Sequence, residues 1–287
     1  MHVTGANSHK LESTAEHHSR ILFDRIRRYA ARLAQEARRG DVHKFRTNSR
    51  RIESIVSEFA PDTRNRKKLL KLLSKLRKKA GKLRDLDVQL AFLNDLKVPD
   101  RGEHRARILE SLTDERARRA KKIEKLFDAE TVSDLRKRLR RARAELNLNG
   151  GDPLRLAYER LPHPGHAITE KTLHICRIEA KRARYLAELA DGPAAKSFVQ
   201  VLKHAQDQVG EWHDVLKLKE LAERRFGTAQ DSTLVAALQN IARARFRRAV
   251  NSLLAALSEL EACRTENEPK KPHKAAAAEA PVHAAVA

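Results

Sequence analysis

The sequence is poor in the residues that build disulfide frameworks, stacking surfaces or membrane spans. Of its 287 residues only two are cysteine, Cys176 and Cys263, which rules out a framework of several disulfides. Aromatic residues make up 4%, so few rings are available to stack on single-stranded bases. No apolar run is long enough to cross a bilayer, and the N-terminal stretch lacks the apolar core of a signal peptide. These features predict a soluble protein of a reducing compartment, which we expect to be the cytoplasm.

Acidic residues are also in deficit, and this deficit indicates the class of partner. The chain has 60 lysines and arginines against 38 aspartates and glutamates, a formal net charge of +22. A charge excess of this size favours polyanionic partners. A single basic run is usually a solvated helix face, so a binding site needs cations that recur in a pattern.

Apolar residues recur at helical spacing along most of the chain, and no alternating strand pattern occurs. The prediction is an all-α fold of long antiparallel helices. Gly40 is expected to close the first helix and Asp41 to cap the second. Helices are expected over about 13–39, 42–59, 63–96, 103–129, 132–148, a short stretch after Pro153, 173–189, 194–226 and 232–263.

The sequence also predicts disorder at both chain ends and burial of two residues. Residues 1–13 are expected to be a flexible N-terminus, and residues 263–287, rich in alanine, proline and lysine, a disordered tail. Cys176 falls on the apolar side of its helix and is expected in the core, as is Trp212.

One helical stretch occurs twice. The segment VHKFRTNSRRIESIVSEF at 42–59 returns in altered form as LHICRIEAKRARYLAEL at 173–189. The basic positions of the first copy recur 131 positions later, which pairs His43, Arg46, Arg50 and Arg51 with His174, Arg177, Lys181 and Arg182. Helical periodicity places His43, Arg46 and Arg50 on one face, and it groups Arg184 with the second set. Each copy is therefore predicted to be a helix with a packing face and a cationic face.

A second motif follows each copy. Residues of KKAGKLRDLD match residues of DQVGEWHDVL 129 positions later, which pairs Gly81, Arg84 and Asp85 with Gly210, His213 and Asp214. One face of the first of these helices carries Lys71, Lys75, Lys78 and Lys82, and Lys203 shares a face with Asp214. We therefore predict two halves, about 14–128 and about 131–262, whose histidine helices face a shared groove.

These paired motifs resemble the CHAD domain, the histidine-bearing α-helical domain. The resemblance rests on HKFRTNSRR with LRDLDV and on HICRIEAKRARY with QDQVGEWHD, and it covers about residues 14–262. It implies two four-helix bundles related by a pseudo-twofold axis. It also implies that the basic groove between the halves binds inorganic polyphosphate, and that the protein is targeted to polyphosphate or polyester storage granules.

The expected binding residues combine this resemblance with the cationic faces. Asp85 and Asp214 are expected to orient neighbouring cations. The expected polyphosphate ligands are His43, Arg46, Arg50, Arg51, Lys71, Lys75, Lys78, Lys82, Arg84, His174, Arg177, Lys181, Arg182, Arg184, Lys203 and His213.

No catalytic, metal or cofactor site is predicted, so we expect a protein that is not an enzyme. No Walker loop or Ser/His/Asp order stands out. His163, His166 and Glu170 lie in a proline-rich loop with no second cluster of ligands. The run 266–270 matches a triphosphatase pattern that belongs on a strand, whereas here it lies in the tail. Two alternatives stay open, namely general binding of RNA or DNA through the basic surface and a structural coat protein of polyester granules.

Overall fold

The computed structural model describes residues 13–98, 103–148, 151–165 and 167–267. All regular elements in these ranges are helices, which confirms the all-α prediction. In chain order they are α1 (Thr14–Gln35), α2 (Arg39–Phe59), α3 (Arg64–Asp95), α4 (His104–Leu126), α5 (Ala129–Ala144), α6 (Pro153–Glu159), α7 (Glu170–Ala187), α8 (Pro193–Phe226) and α9 (Thr233–Asn267).

Side-chain caps fix several helix starts. The Ser13 hydroxyl accepts from the Glu16 backbone N–H at 3.3 Å, and the Glu16 carboxylate accepts from the Ser13 N–H at 2.8 Å. This reciprocal box satisfies two donors that a helix start otherwise leaves unpaired. Thr63 caps α3 with a single hydrogen bond, in which its hydroxyl accepts from the Arg66 backbone N–H at 3.1 Å.

The predicted junction between the first two helices was wrong. Helix α1 ends at Gln35 and α2 already begins at Arg39, so Gly40 and Asp41 lie inside the first turn of α2. Arg38 occupies the N-cap position, and its side chain makes no capping hydrogen bond to α2. The Asp41 carboxylate instead lies where the partial positive charge of the helix N-terminus favours an anion.

The C-terminal helix is longer than predicted, and the two ends of the chain lie outside the described residues. Helix α9 continues to Asn267, so the tail predicted from residue 263 begins later than expected. The predicted flexible N-terminus, apart from Ser13, and residues 268–287 lie outside the described residues. None of the described helices is long and apolar enough to cross a membrane.

Three hydrophobic clusters hold the helices together. The first joins α1, α2, α3 and α5 to α7 and the start of α8, with Phe45 and Phe198 fully buried. The second joins the C-terminal part of α3 to α4, α8 and α9. The third surrounds Trp212 and contains Cys176, which are 1% and 4% exposed. Both residues are therefore confirmed as core residues.

Two of these clusters contain residues from both predicted halves. In the second cluster, Leu93 of α3 packs in one core with Leu218 of α8. Helix α5, which follows the predicted boundary, packs through Leu135 and Leu139 into the first cluster. The domain limits and the twofold relation stay predictions, and the shared cores fix α3 and α8 relative to each other.

Candidate functional site

Helices α2 and α7 pack side by side and bring the two repeated motifs to one groove. Burial lowers the pKa of His43, and the nearby charges of Arg84, Arg46 and Lys181 lower it further. Lys181 belongs to α7, whereas His43 belongs to α2. The pKa of His174 on α7 is lowered by burial and, among other charges, by Arg50 of α2. Each histidine therefore lies within electrostatic reach of the other motif helix.

We define the groove by the residues of these motifs that influence one another electrostatically. They come from α2, α3, α7 and α8. The groove residues are His43, Arg46, Arg50, Arg84, Asp85, His174, Arg177, Lys181, His213 and Asp214.

Arg46 lies against the backbone of α3 at Gly81. A Cβ atom on Gly81 would collide with Nη1 of Arg46 and would lie 3.3 Å from its Cζ. Gly81 thus provides the space that the guanidinium occupies. The matching glycine of the second motif differs, because a Cβ on Gly210 would meet nothing within 4 Å. Burial lowers the pKa of Arg46 to about 10, so the side chain stays charged at neutral pH.

Two carboxylates lie among the cations of the groove. Burial raises the pKa of Asp85, while Arg46, Arg177, Arg84 and Arg50 lower it. Burial also raises the pKa of Asp214. The charge of Arg177 lowers this pKa, and the charge of Asp85 raises it. The two carboxylates are therefore close enough to repel each other.

The two carboxylates form no ion pair with the groove arginines, which can therefore bind an external anion. In the described part of the chain, neither Asp85 nor Asp214 is in an ion pair, and neither is Arg46, Arg50 or Arg177. The guanidinium groups therefore retain N–H donors for an external anion, with the carboxylates near enough to reduce their mutual repulsion. An orienting role for Asp85 and Asp214 fits this arrangement and stays a prediction.

Lys181 and His213 carry little charge at neutral pH. Burial lowers the pKa of Lys181 to about 6, and Arg177, Arg50 and Arg184 lower it in the same direction. Burial, with Arg177 and His174, lowers the pKa of His213 to about 3. At neutral pH the fixed positive charge of the groove therefore comes from its arginines.

A cleft of about 520 Å³ opens from the groove between α2, α3 and α7. Its lining includes Arg50, Lys181, Arg182 and Arg77. Arg77 was missing from the predicted site, and its Nε donates to Oε1 of Glu53 at 3.0 Å. The sequence carried a signal for it, because Arg77 precedes Gly81 by one helical turn and shares its face.

The motifs that meet in this groove also identify the family. The family model of the CHAD domain matches residues 20–223. The chain belongs to the CHAD domain family. No curated protein matches the sequence.

Two solved structures show that the fold extends beyond the matched segment of this CHAD domain. The crystal structure of the CHAD domain from the plant Ricinus communis has 16% identity, covers 90% of this chain and 88% of that chain, and gives a TM-score of 0.58. PptA from Streptomyces chartreusis also has 16% identity, covers 87% of this chain and 98% of that chain, and gives a TM-score of 0.60. At this identity the likeness establishes the fold.

Two predicted ligands of this CHAD domain already share a carboxylate partner, and one of them links the two motif helices. Arg51 of α2 makes a two-pronged pair with Glu188 at the end of α7, at 2.5 Å from Nε and 3.0 Å from Nη2. Arg184 lies 3.5 Å from the same carboxylate. Both guanidinium groups also lie over the ring of Tyr185, at 5.3 and 5.1 Å from its centroid. Anion binding by Arg51 and Arg184 stays a prediction.

The lysine face of α3 does not lie at the centre of the groove. Lys71, Lys75, Lys78 and Lys82 are exposed. Helical periodicity places them about a quarter turn from Gly81, and Lys75 lies near Asp128 at the start of α5. Lys203 is likewise exposed on α8. Polyphosphate binding by these five lysines stays a prediction.

The remaining sequence-level candidates fall partly outside the described residues. His166, of the trio His163, His166 and Glu170, is not described, and the run 266–270 is described only to Asn267. Elsewhere in the described chain, no group of three or more His, Cys, Asp or Glu side chains is arranged to hold a metal ion.

Proposed function

We propose that this CHAD domain binds inorganic polyphosphate in the groove and does not cleave it. The observation that carries the proposal is the convergence of Arg46, Arg50 and Arg177, from both motif helices, without ion-pair partners in the described chain. A guanidinium fork can take two phosphate oxygens at once, and charge-assisted bonds of this kind are stronger than neutral ones. Polyphosphate presents a negative charge on each unit, so one chain can engage several forks in succession.

The histidines fit a role in binding. Burial and the surrounding cations lower the pKa of His43, His174 and His213, so each is a neutral N–H donor at neutral pH. A phosphate oxygen beside such a ring favours its protonated form, which would add charge when the ligand arrives. We therefore assign these side chains to ligand contact, and not to acid–base catalysis.

Nucleic acid is the competing polyanion, and granules are the expected destination. The basic surface permits RNA or DNA binding, but aromatic residues make up only 4% of the chain and offer few stacking surfaces. A protein that holds polyphosphate in its groove would be recruited to polyphosphate granules in the cytoplasm. Coating of polyester granules is the remaining alternative.

A titration of the full chain tests this function. We expect long-chain polyphosphate to bind at least a hundredfold more tightly than orthophosphate, because a chain of phosphates can contact several groove cations at once. Affinity should fall steeply as salt rises, since phosphate contacts release counterions. Fluorescence anisotropy or calorimetry at several salt concentrations would measure both effects.

The same titration separates the alternatives. RNA added at matched phosphate concentration should fail to displace the polymer, and incubation with a divalent metal should release no phosphate. Equal affinity for orthophosphate and long polymer would refute the proposal. Displacement by RNA at equal phosphate would favour nucleic-acid binding, and release of phosphate would indicate an enzyme.

Replacing Gly81 by alanine should weaken polyphosphate binding several-fold without destabilising the fold. The new Cβ would occupy the place of the Arg46 guanidinium, which is the movable end of a flexible side chain. Alanine is also favoured over glycine inside a helix by roughly 0.5–1 kcal/mol. Thermal unfolding should therefore stay unchanged or shift upward while affinity falls.

Gly210→Ala is the matched control for this change. It makes the same substitution in the second motif helix, where a Cβ meets nothing within 4 Å. We expect this variant to keep its affinity. If both variants bind polyphosphate like the unchanged chain, the position of Arg46 against α3 is irrelevant to binding.

A further inference from the structure

A second cationic cleft adjoins the groove at Asp85. It has a volume of about 330 Å³ and lies between α3, α4 and α8. Four of its lining side chains are cationic, against the two carboxylates of Asp85 and Glu115. The cations are Arg118, Lys217, Arg224 and Arg225.

Two residues connect this cleft to the groove. Asp85 lines the cleft and also lies among the groove arginines. Lys217 lines the cleft and lies near enough to His174 and His213 to lower the pKa of both. The groove therefore lies between this cleft and the 520 Å³ cleft along α3, and the stretch from Arg77 in one cleft to Gln89 in the other is about 18 Å long at 1.5 Å per residue.

The cations of the cleft differ in how far they are already engaged. Arg118 lies 3.1 Å from Glu115, and Lys217 lies 2.9 Å from Glu220. Arg225 donates to the Ser111 hydroxyl at 2.5 Å, which links α8 to α4 across the cleft. Arg224 is exposed and has no ion pair within the described residues. The cleft thus has donors on both walls for a strand of phosphates that leaves the groove.

We propose that this cleft is a second segment of the polyphosphate path, occupied only by chains long enough to extend past Asp85. The inference rests on the proposed function, because it assigns the ligand of the groove to the cleft as well. It predicts that the protein distinguishes polymer lengths. A short chain makes only the groove contacts, whereas a long chain adds the contacts with α4 and α8.

The variant Arg118→Ala/Arg224→Ala tests this segment. Both side chains are exposed, so the helices should form as before. Glu115 keeps Arg119 as a partner at 2.6 Å, so the change leaves no unpaired carboxylate at that site. We expect affinity for long-chain polyphosphate to fall at least fivefold, while affinity for tripolyphosphate changes less than twofold.

Arg243→Ala/Arg247→Ala is the charge-matched control. These exposed arginines of α9 line a separate cleft of about 360 Å³ beside Glu170. That cleft includes Leu216 and Lys219, which helical periodicity places on the side of α8 away from Asp214. The control should lower the affinities for long-chain polyphosphate and for tripolyphosphate by the same small factor, because it removes only net charge.

The outcomes separate this inference from the proposed function. If the unchanged chain does not bind polyphosphate, both fail. If it binds polyphosphate but Arg118→Ala/Arg224→Ala lowers the affinity for long-chain polyphosphate and for tripolyphosphate equally, the second segment is refuted. The second segment is also refuted if this variant lowers the affinity no more than the control does. A loss of affinity confined to an RNA oligomer would also refute it. Circular dichroism checks folding, and if the double variant loses helix, Arg224→Gln alone provides the same comparison.

Discussion

Replacing Arg46 and Arg50 by alanine is expected to weaken binding of long-chain polyphosphate at least tenfold more than replacing Arg138 and Arg141. Arg46 and Arg50 are half-buried in the groove, where burial strengthens a contact with an anion. Each charge-assisted hydrogen bond lost there costs roughly 1.5–3 kcal/mol. Neither side chain belongs to the hydrophobic clusters, so the variant should fold.

The comparison variant removes the same formal charge from α5. Arg138 pairs with Asp134 of its own helix at 2.8 Å, and Arg141 is exposed. An i,i+4 pair of this kind within one helix contributes roughly 0.3–0.5 kcal/mol. Polyphosphate affinities of both double variants at one fixed salt concentration, with circular dichroism to confirm helix content, decide the question. Equal losses would mean that net charge attracts the polymer and that the groove has no special role.

Affinity for polyphosphate is also expected to fall by roughly tenfold per pH unit between about pH 6.5 and 8.5. Burial lowers the pKa of Lys181 to about 6, and the neighbouring charges of Arg177, Arg50 and Arg184 lower it further against the opposing charge of Asp214. A bound polyanion favours the ammonium form and raises this pKa back toward the ordinary lysine value of 10.5, above the upper end of this window. In the window between the two pKa values the complex holds one more proton than the free protein, so higher pH disfavours binding.

Lys181→Arg provides the control for this pH dependence. A guanidinium stays protonated throughout the window, so the variant should bind with a much flatter pH profile. Calorimetry in buffers of different ionisation enthalpy would count the proton directly, near one for the unchanged chain. His43, His174 and His213 act in the same direction at lower pH, because their pKa values are also lowered. An affinity that is constant from pH 6.5 to 8.5 would contradict the assignment.

Local sequence pattern was sufficient to predict the helices and the faces of the motif residues. His43, Arg46 and Arg50 share a helix face for reasons of periodicity alone, and Trp212 and Cys176 lie in the core as their spacing indicates. The first junction failed because Gly40 and Asp41 have strong local preferences for helix ends. The structure instead places both residues in the first turn of α2.

The features that were missed depend on residues far apart in the chain. Arg51 looks like Arg46 in the sequence, yet its partner Glu188 is 137 positions away. The same limit applies to Lys181, whose lowered pKa results from burial and from cations on two helices. Sequence shows which side chains are cationic, but tertiary contacts decide which of them are already paired and which are charged.

The cores shared by the two predicted halves have a consequence for the entropy of binding. Opening the groove by a hinge would separate Leu93 from Leu218 and would expose apolar surface to water. The groove is therefore preorganised, and most of the conformational freedom lost on binding belongs to the polymer. A stiff, ready-made receptor of this kind gains affinity with each further phosphate that it contacts, with little additional cost in ordering the protein.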